Sequence, residues 1–162
     1  MPERSVTHAT FRIERVYDAT PAEVFAAYAE PEARRRWFVE GEGWDVESCH
    51  LDFRQGATER TTFRFRGGPV VSNDTTYFDI VDNERFVFAY TMVVGDNRIS
   101  ASLGTVELIP EGTKTRHVYT EQGAYLDRGD QPSDRERGCT DLLKKLGTEL
   151  AGQTSGEVGR TR

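Results

Sequence analysis

Three side chains with acid–base capacity alternate along one stretch of the chain: His117, Tyr119 and Glu121. Residues at i, i+2 and i+4 share one face of a β-strand, so this spacing brings an imidazole, a phenol and a carboxyl group side by side. If that face is directed inward, the trio can line a cavity as polar groups. If it is directed outward, the three side chains are solvated. A register shift of one residue exchanges these outcomes, so the sequence leaves both open.

The other histidines and the cysteines do not form a site. His8, His50 and His117 share no helical pair and no spacing typical of a zinc site, so we predict no metal. Cys49 and Cys139 lie far apart and also match no metal spacing, so we expect free thiols in a reducing compartment. The sequence contains no nucleophile elbow, phosphate loop or dinucleotide fingerprint. We therefore predict no cofactor.

Composition argues against nucleic acid and membrane as partners. The net charge is −6, whereas phosphate backbones require a basic face. Residues 34–36 are three arginines, which we interpret as a solvated helix face. Arginine alternates with phenylalanine over residues 60–66, but a period of two places rings and guanidinium groups on opposite faces. No apolar run reaches the roughly 18 residues of a membrane span, and the polar segment 1–10 lacks a secretory signal, so we expect a cytoplasmic protein.

Two capping boxes predict where helices begin. In Thr20-Pro21-Ala22-Glu23, the threonine hydroxyl and the glutamate carboxylate can each accept from the other residue's amide, with proline at the first helical position. Pro31 ends this helix and opens a second short one towards Trp37. Ser133-Asp134-Arg135-Glu136 is the second box, and it predicts a long helix from Ser133 to Leu150. Its buried stripe would be Cys139, Leu142, Leu143, Leu146 and Leu150.

Between these helices the hydrophobic period changes to two, which indicates strands separated by turns rich in glycine, asparagine and proline. We predict a single domain over residues 7–150, and a flexible tail over residues 151–162, which are rich in glycine and polar residues. The predicted strands are Thr7–Tyr17, Asp45–Asp52, Ala57–Arg66, Val70–Val81, Arg85–Val94, Ser100–Ile109 and Lys114–Gly123.

In this order of elements, and in four short motifs, the chain resembles the family named for the C-terminal domain of the activator of Hsp90 ATPase, in the START-like (SRPBCC) superfamily. The resemblance covers most of residues 7–150 and implies an α+β helix-grip fold. In that fold a curved antiparallel sheet of about seven strands, two short helices and a long C-terminal helix enclose a cavity. The motifs lie in residues 15–25, 31–37, 79–88 and 112–116.

One departure from the family pattern concerns the predicted cavity. Many relatives carry Gly-Trp early in the last helix, where this chain has Gly138-Cys139. Replacing an indole by a thiol should enlarge or reshape the space beneath the helix. A relative's ligand is therefore not carried over to this chain.

We expect the cavity to bind a small, largely apolar molecule, with a lining that combines aromatic bodies and a few polar groups. For each ring the alternative is that it fills the core. The candidate lining is Trp37, Phe38, Trp44, Phe63, Phe65, Tyr77, Phe88, Tyr90, His117, Tyr119, Glu121, Cys139 and Leu143.

Two other functions stay open at this stage. The resemblance implies that a cavity enzyme of the cyclase, dehydratase or hydrolase kind is possible, with tyrosine, histidine and glutamate of the last strand as acid–base candidates. A chaperone ATPase co-regulator is less expected, because the eukaryotic activators add a separate N-terminal domain and the residues before Thr7 are too few to form one. A homodimer is compatible with the sequence, which names neither the ligand nor any turnover.

Overall fold

The computed structural model describes residues 3–160, with side chains described as far as Gln153. Seven strands form one antiparallel sheet in the order β1-β7-β6-β5-β4-β3-β2, and the helices pack on its concave face. This confirms the α+β helix-grip fold. The strands are β1 (Val6–Tyr17), β2 (Trp44–His50), β3 (Thr58–Phe65), β4 (Val70–Val81), β5 (Arg85–Val94), β6 (Asn97–Glu111) and β7 (Lys114–Leu126). The helices are α1 (Pro21–Ala29), α2 (Pro31–Arg34), which continues as a π-helical turn (Arg35–Val39), and α3 (Pro132–Arg160).

The first predicted capping box is confirmed and the second is wrong. At α1 the Thr20 hydroxyl accepts from the Glu23 amide at 3.2 Å, and the Glu23 carboxylate accepts from the Thr20 amide at 3.3 Å. Helix α3 begins at Pro132 instead, and the Gln131 carbonyl accepts from the Arg135 amide at 3.1 Å. Proline fixes φ in the helical range and favours the first helical position. Ser133 therefore lies inside the first turn and is not its cap.

Helix α3 buries the predicted stripe. Cys139, Leu143, Leu146 and Leu150 are buried, and Leu142 is partly buried. They pack against β1, α1 and the π-helical turn. Beyond the predicted end at residue 150 the helix continues to residue 160. The flexibility expected for residues 151–162 stays a prediction.

Strand β7 is longer than predicted. We expected it to end at Gly123, but it continues to Leu126 because both neighbouring strands pair with it there: Gly123 faces Ser102 of β6 and Ala9 of β1. A side chain at Gly123 would collide with the Tyr125 ring, since an added Cβ would lie 2.9 Å from Cε2. The glycine thus makes room for an aromatic ring on the concave face and does not end the strand.

The register divides the concave face into three bands that cross the sheet. The apolar base, beneath the helices, includes Tyr77, Phe86, Phe88, Val106 and Tyr119. Next is a polar belt of two rows: Glu59, Thr75, Tyr90, Ser102 and Gly123, then Thr61, Asn73, Met92, Ser100 and Tyr125. The outermost band, the apolar rim, consists of Trp44, Val46, Phe63, Phe65, Val71 and Val94.

None of the helices within residues 3–160 is both long and apolar enough to cross a membrane.

Candidate functional site

A completely buried carboxylate lies at the boundary between the apolar base and the polar belt. Glu121 Oε1 accepts hydrogen bonds from Tyr90 at 2.7 Å and from Tyr119 at 2.5 Å, and the Cys139 Sγ lies 3.8 Å away. Two strands and α3 supply these donors. We call Glu121, Tyr90, Tyr119, Cys139 and Arg135 the Glu121 cluster.

Arg135 supplies the positive charge of the cluster from the first turn of α3. Its Nη1 donates to the Tyr90 hydroxyl at 2.9 Å and lies 3.7 Å from Glu121 Oε2. Its Nη2 donates to Ser100 Oγ and to the Asp130 carboxylate, both at 2.7 Å. Removing a carboxylate from water is unfavourable unless a counter-charge and hydrogen bonds replace the solvent. Arg135 and the two phenols provide both.

Burial keeps the acidic hydrogens of the cluster in place. It raises the pKa of the Tyr90 and Tyr119 phenols well above the usual 10.0, and the neighbouring Glu121 charge adds to both shifts. Burial is also the main reason that the pKa of the Cys139 thiol is raised, with Glu121 again adding to the shift. At neutral pH these groups are hydrogen-bond donors, and the thiol is not a nucleophile.

The predicted trio does face inward, but it divides into two sites. His117 lies two residues deeper than Tyr119 and contacts Tyr28, whose hydroxyl is 2.8 Å from His117 Nε2. The ring is completely buried, stacks on Tyr28 and meets the edge of Tyr17. Desolvation lowers the pKa of His117 from 6.5 to about 4, and the positive charge of Arg15 adds to the shift. The imidazole is therefore neutral near pH 7.

A second buried carboxylate lies further along the polar belt, and the sequence did not reveal it. Glu59 Oε1 accepts from Arg34 Nη2 at 3.0 Å and from the Tyr77 hydroxyl at 2.8 Å. Glu59 Oε2 accepts from the Asp52 amide at 3.0 Å and from Arg34 Nη1 at 3.4 Å. Both oxygens thus have partners. We call Glu59, Arg34 and Tyr77 the Glu59 cluster.

The solvated helix face predicted for residues 34–36 is wrong for its first member. Arg34 is 4% exposed, and its guanidinium lies 4.4 Å from the centre of the Phe38 ring as well as against Glu59. Arg36 is exposed and pairs with Glu149 of α3 at 2.6 Å. The difference arises because only Arg34 is directed to the sheet, where Glu59 compensates its charge.

Phe88 separates the two clusters. Its ring centre lies 6.1 Å from that of Tyr77 and 6.3 Å from that of Tyr119. It lies directly over Gly104 of β6, where an added Cβ would be 2.4 Å from Cζ of the ring. Because Gly104 has no side chain, the ring lies close to the sheet and stays half-buried at the floor of the concave face.

The candidate lining residues fall into three groups. Tyr90, Tyr119, Glu121 and Cys139 meet in the Glu121 cluster. Trp44, Phe63 and Phe65 meet in the apolar rim, with both phenylalanine ring centres 4.8 Å from that of Trp44. The others lie in the Glu59 cluster, on the floor between the clusters, or in the core beneath the helices: Tyr77, Phe88, Trp37, Phe38, His117 and Leu143.

Sequence reasoning missed Arg34 and Arg135. Arg135 did carry a signal, because it precedes Cys139 by four residues and therefore shares the buried face of α3. Within the described residues, no group of three histidine, cysteine, aspartate or glutamate side chains could hold a metal ion.

Residues 18–151 match the family model described as Activator of Hsp90 ATPase homolog 1-like protein. The chain belongs to this family. Among solved structures of similar proteins, one from Rhizobium loti is 46% identical, covers 90% of this chain and 99% of its own, and has a TM-score of 0.84. One from Rhizobium leguminosarum is 41% identical, covers 92% and 98%, and has a TM-score of 0.88.

More distant members of the family share the fold. The solution structure of an AHSA1-like protein from Aeromonas hydrophila is 15% identical and covers 90% of this chain and 94% of its own, with a TM-score of 0.68. At that identity the likeness concerns the fold alone. No curated protein matches the chain.

Proposed function

We propose that this protein binds a small, largely apolar molecule on its concave face, between the sheet and α3. The observation that carries the proposal is the order of the bands. An accessible apolar rim leads directly to a polar belt that contains a buried carboxylate. Small-molecule sites typically combine an apolar lining with a few placed polar groups, and this face has both in the right order.

The rim supports the proposal through its exposure. Trp44 is 39% exposed and Phe65 is 43% exposed, and their neighbours Val46, Phe63 and Val71 are half-buried. Clustered aromatic and aliphatic side chains that remain accessible are a common feature of binding surfaces. Burying them beneath an apolar ligand would be favourable by roughly 25 cal/mol for each Å² removed from water.

Two shallow depressions elsewhere are weaker candidates. One of about 320 Å³ lies on the exposed side of α3 near Glu136 and Lys144, and one of about 270 Å³ lies beside Phe78 on the outer side of β4–β6. No buried charged side chain lines either of them. They lack the combination of apolar surface and buried polar group that the concave face offers.

Binding without turnover fits the chemistry of these groups better than catalysis. A general base works best with a pKa near the operating pH, whereas the pKa of His117 is about 4. The raised pKa of the Cys139 thiol removes it as a nucleophile at neutral pH. The predictions of a cytoplasmic location, of no nucleic-acid partner and of a compatible homodimer remain predictions.

The proposal can be tested with N-phenyl-1-naphthylamine, a neutral apolar fluorescent probe. We expect saturable binding of one probe to the wild type, with energy transfer from Trp44 in the rim. Phe63→Asp places a charge in the rim and should weaken binding at least about tenfold, equivalent to about 1.4 kcal/mol. The matched control is Leu103→Asp, which alters an exposed residue on the outer face of β6 and should leave binding unchanged.

Circular dichroism would verify that both variants are folded. Non-saturable binding to the wild type would contradict the proposal, and so would equal affinity of both variants. Native mass spectrometry of protein purified from its natural source would then identify the mass of a co-purifying ligand directly.

A further inference from the structure

Three polar atoms in and beside the Glu121 cluster are buried without a hydrogen-bond partner. They are Glu121 Oε2, the Tyr125 hydroxyl and Ser102 Oγ, and none of them makes a hydrogen bond within the described part of the chain. Their residues are 0%, 1% and 5% exposed. Most buried polar groups in folded proteins have partners, so three neighbouring exceptions require an explanation.

The register places the residues that carry these atoms side by side on the concave face. Glu121, Gly123 and Tyr125 alternate on the concave face of β7, and Ser102 lies directly opposite Gly123. An added Cβ at Gly123 would lie 3.0 Å from Tyr125 Cζ, which carries the hydroxyl, and 3.1 Å from Ser102 Oγ. The Tyr125 ring therefore lies over Gly123, on the side of Glu121, and Ser102 Oγ lies beside it.

The Glu59 cluster is an internal comparison with the same chemistry. It also combines a buried glutamate, an arginine and a tyrosine, but both Glu59 oxygens and the Tyr77 hydroxyl have partners inside the protein. The Glu121 cluster uses only Oε1 for its hydrogen bonds. The Glu59 carboxylate is fully hydrogen-bonded, although Arg34 Nε has no partner, whereas Glu121 Oε2 accepts no hydrogen bond.

We propose that Glu121, Tyr125 and Ser102 receive a hydroxyl group of the ligand, so that the protein binds an apolar alcohol or phenol. The inference rests on the proposed function and names the polar end of the molecule bound there. A hydroxyl group donates one hydrogen bond and accepts others, so it can donate to Glu121 Oε2 and accept from Tyr125 or Ser102.

The charges beside the site exclude the other polar groups. A carboxylate would lie against Glu121, whose charge already takes up Arg135 as its counter-charge, and two carboxylates repel each other in a buried site. An ammonium group would lie against Arg135, whose Nη1 is 3.7 Å from Glu121 Oε2. A neutral hydroxyl meets neither objection. Met92 is half-buried between Tyr90 and the rim residue Val94. Its flexible side chain would move to admit the ligand hydroxyl.

Three probes with one apolar body test this inference: naphthalene, 2-naphthol and 2-naphthoate. For the wild type we expect 2-naphthol to bind about tenfold more tightly than naphthalene, as one buried hydrogen bond to a charged group allows, and 2-naphthoate to bind least. The double variant Tyr125→Phe/Ser102→Ala should reduce this preference, because only the hydrogen bond to Glu121 remains, and should keep its affinity for naphthalene. Tyr77→Phe, in the Glu59 cluster, should keep the preference.

The outcomes distinguish failure of the hydroxyl site from failure of the proposed binding function. If naphthalene and 2-naphthol bind the wild type equally, or if the double variant keeps the preference, the hydroxyl site is refuted while binding itself stands. If no probe binds, the proposed function fails and the hydroxyl site fails with it.

Stability gives a second readout that needs no ligand. The Tyr125 hydroxyl has no partner, so Tyr125→Phe should not lower the denaturation midpoint, whereas Tyr77→Phe removes bonds to Glu59 and Arg34 and should lower it. A comparable loss for both variants would mean that a fixed water satisfies Tyr125 and would overturn the inference.

Discussion

Acidification should destabilise this protein in part through His117. The completely buried imidazole packs between Tyr28 and Tyr17, and its pKa is lowered from 6.5 to about 4. In the unfolded chain the group titrates normally near 6.5. Between these two values the unfolded state binds a proton that the folded state does not. Stability therefore falls as the pH decreases from 6.5 to 4. Above pH 6.5 the histidine is neutral in both states and costs no stability.

The size of the effect follows from the shift. A difference of about 2.5 pKa units at about 1.36 kcal/mol each corresponds to roughly 3 kcal/mol, lost progressively between pH 6.5 and pH 4. Domains of this size are commonly stable by only about 5–15 kcal/mol. One histidine would thus account for a substantial part of the acid sensitivity.

The assay is denaturant-induced unfolding at several values from pH 7.5 to pH 4.5, for the wild type and for His117→Gln. The variant loses the contact with Tyr28, so it should be less stable than the wild type above pH 6.5. The difference between the two proteins should shrink on acidification, because only the wild type carries the histidine that is protonated on unfolding. The carboxylates of the two proteins are the same and cancel in the difference. His8→Gln is the matched control, because His8 is exposed on β1 and should leave the pH dependence as in the wild type.

Parallel stability curves for the wild type and His117→Gln across the whole range would refute the reasoning. They would mean that His117 binds its proton equally well in the folded and unfolded states, which requires water or an anion beside the ring. Such a result would also show that the base of the concave face is not dry.

Three further predictions test the fold and the site. Leu143→Ala should lower the free energy of unfolding by about 2–5 kcal/mol, because the residue is 5% exposed under α3; a loss below roughly 0.5 kcal/mol in denaturant unfolding would contradict its packing. Thr20→Ala should lower the free energy of unfolding by about 0.5–2 kcal/mol, because Thr20 caps α1. Ser133→Ala should change it by less than about 0.5 kcal/mol, because Ser133 lies inside the first turn of α3. Equal denaturation midpoints for the two variants would contradict this distinction. Cys139→Trp should remain folded with an overpacking loss of about 1–3 kcal/mol and abolish probe uptake; unchanged uptake in a folded variant would show that Cys139 does not face the binding site.

The fold was predictable because its signals are local. Turn residues on both sides of β4 and β5 indicated their observed bounds, and the Thr20 capping box indicated the start of α1. The start of α3 was missed because two start signals overlap there, a proline and a capping box one residue apart. The proline decides, since its fixed φ favours the first helical position, which Pro132 occupies.

The site was predictable only in part because burial of a charge depends on partners distant in sequence. The alternation of His117, Tyr119 and Glu121 showed that they share a face, and the covering helix decides that this face is inside. For Arg34, three consecutive arginines indicated solvent, but its partner Glu59 lies 25 residues further along the chain. The end positions of β2 and β3 leave Trp44 and Phe65 exposed, a consequence of sheet order that their residue types do not reveal.

The two buried ion pairs also explain how the helices are held in position against the sheet. Arg34 belongs to α2 and Arg135 to the first turn of α3, and each reaches a glutamate on a different part of the polar belt. Buried pairs add little net stability compared with apolar packing, but breaking one leaves an uncompensated charge, so they penalise misplaced helices strongly. The Glu59 pair, with both carboxylate oxygens hydrogen-bonded inside the protein, fits this orienting role. The Glu121 pair can orient α3 in the same way, but Glu121 Oε2 accepts no hydrogen bond. In our proposal a ligand hydroxyl beside Tyr125 and Ser102 donates to this oxygen.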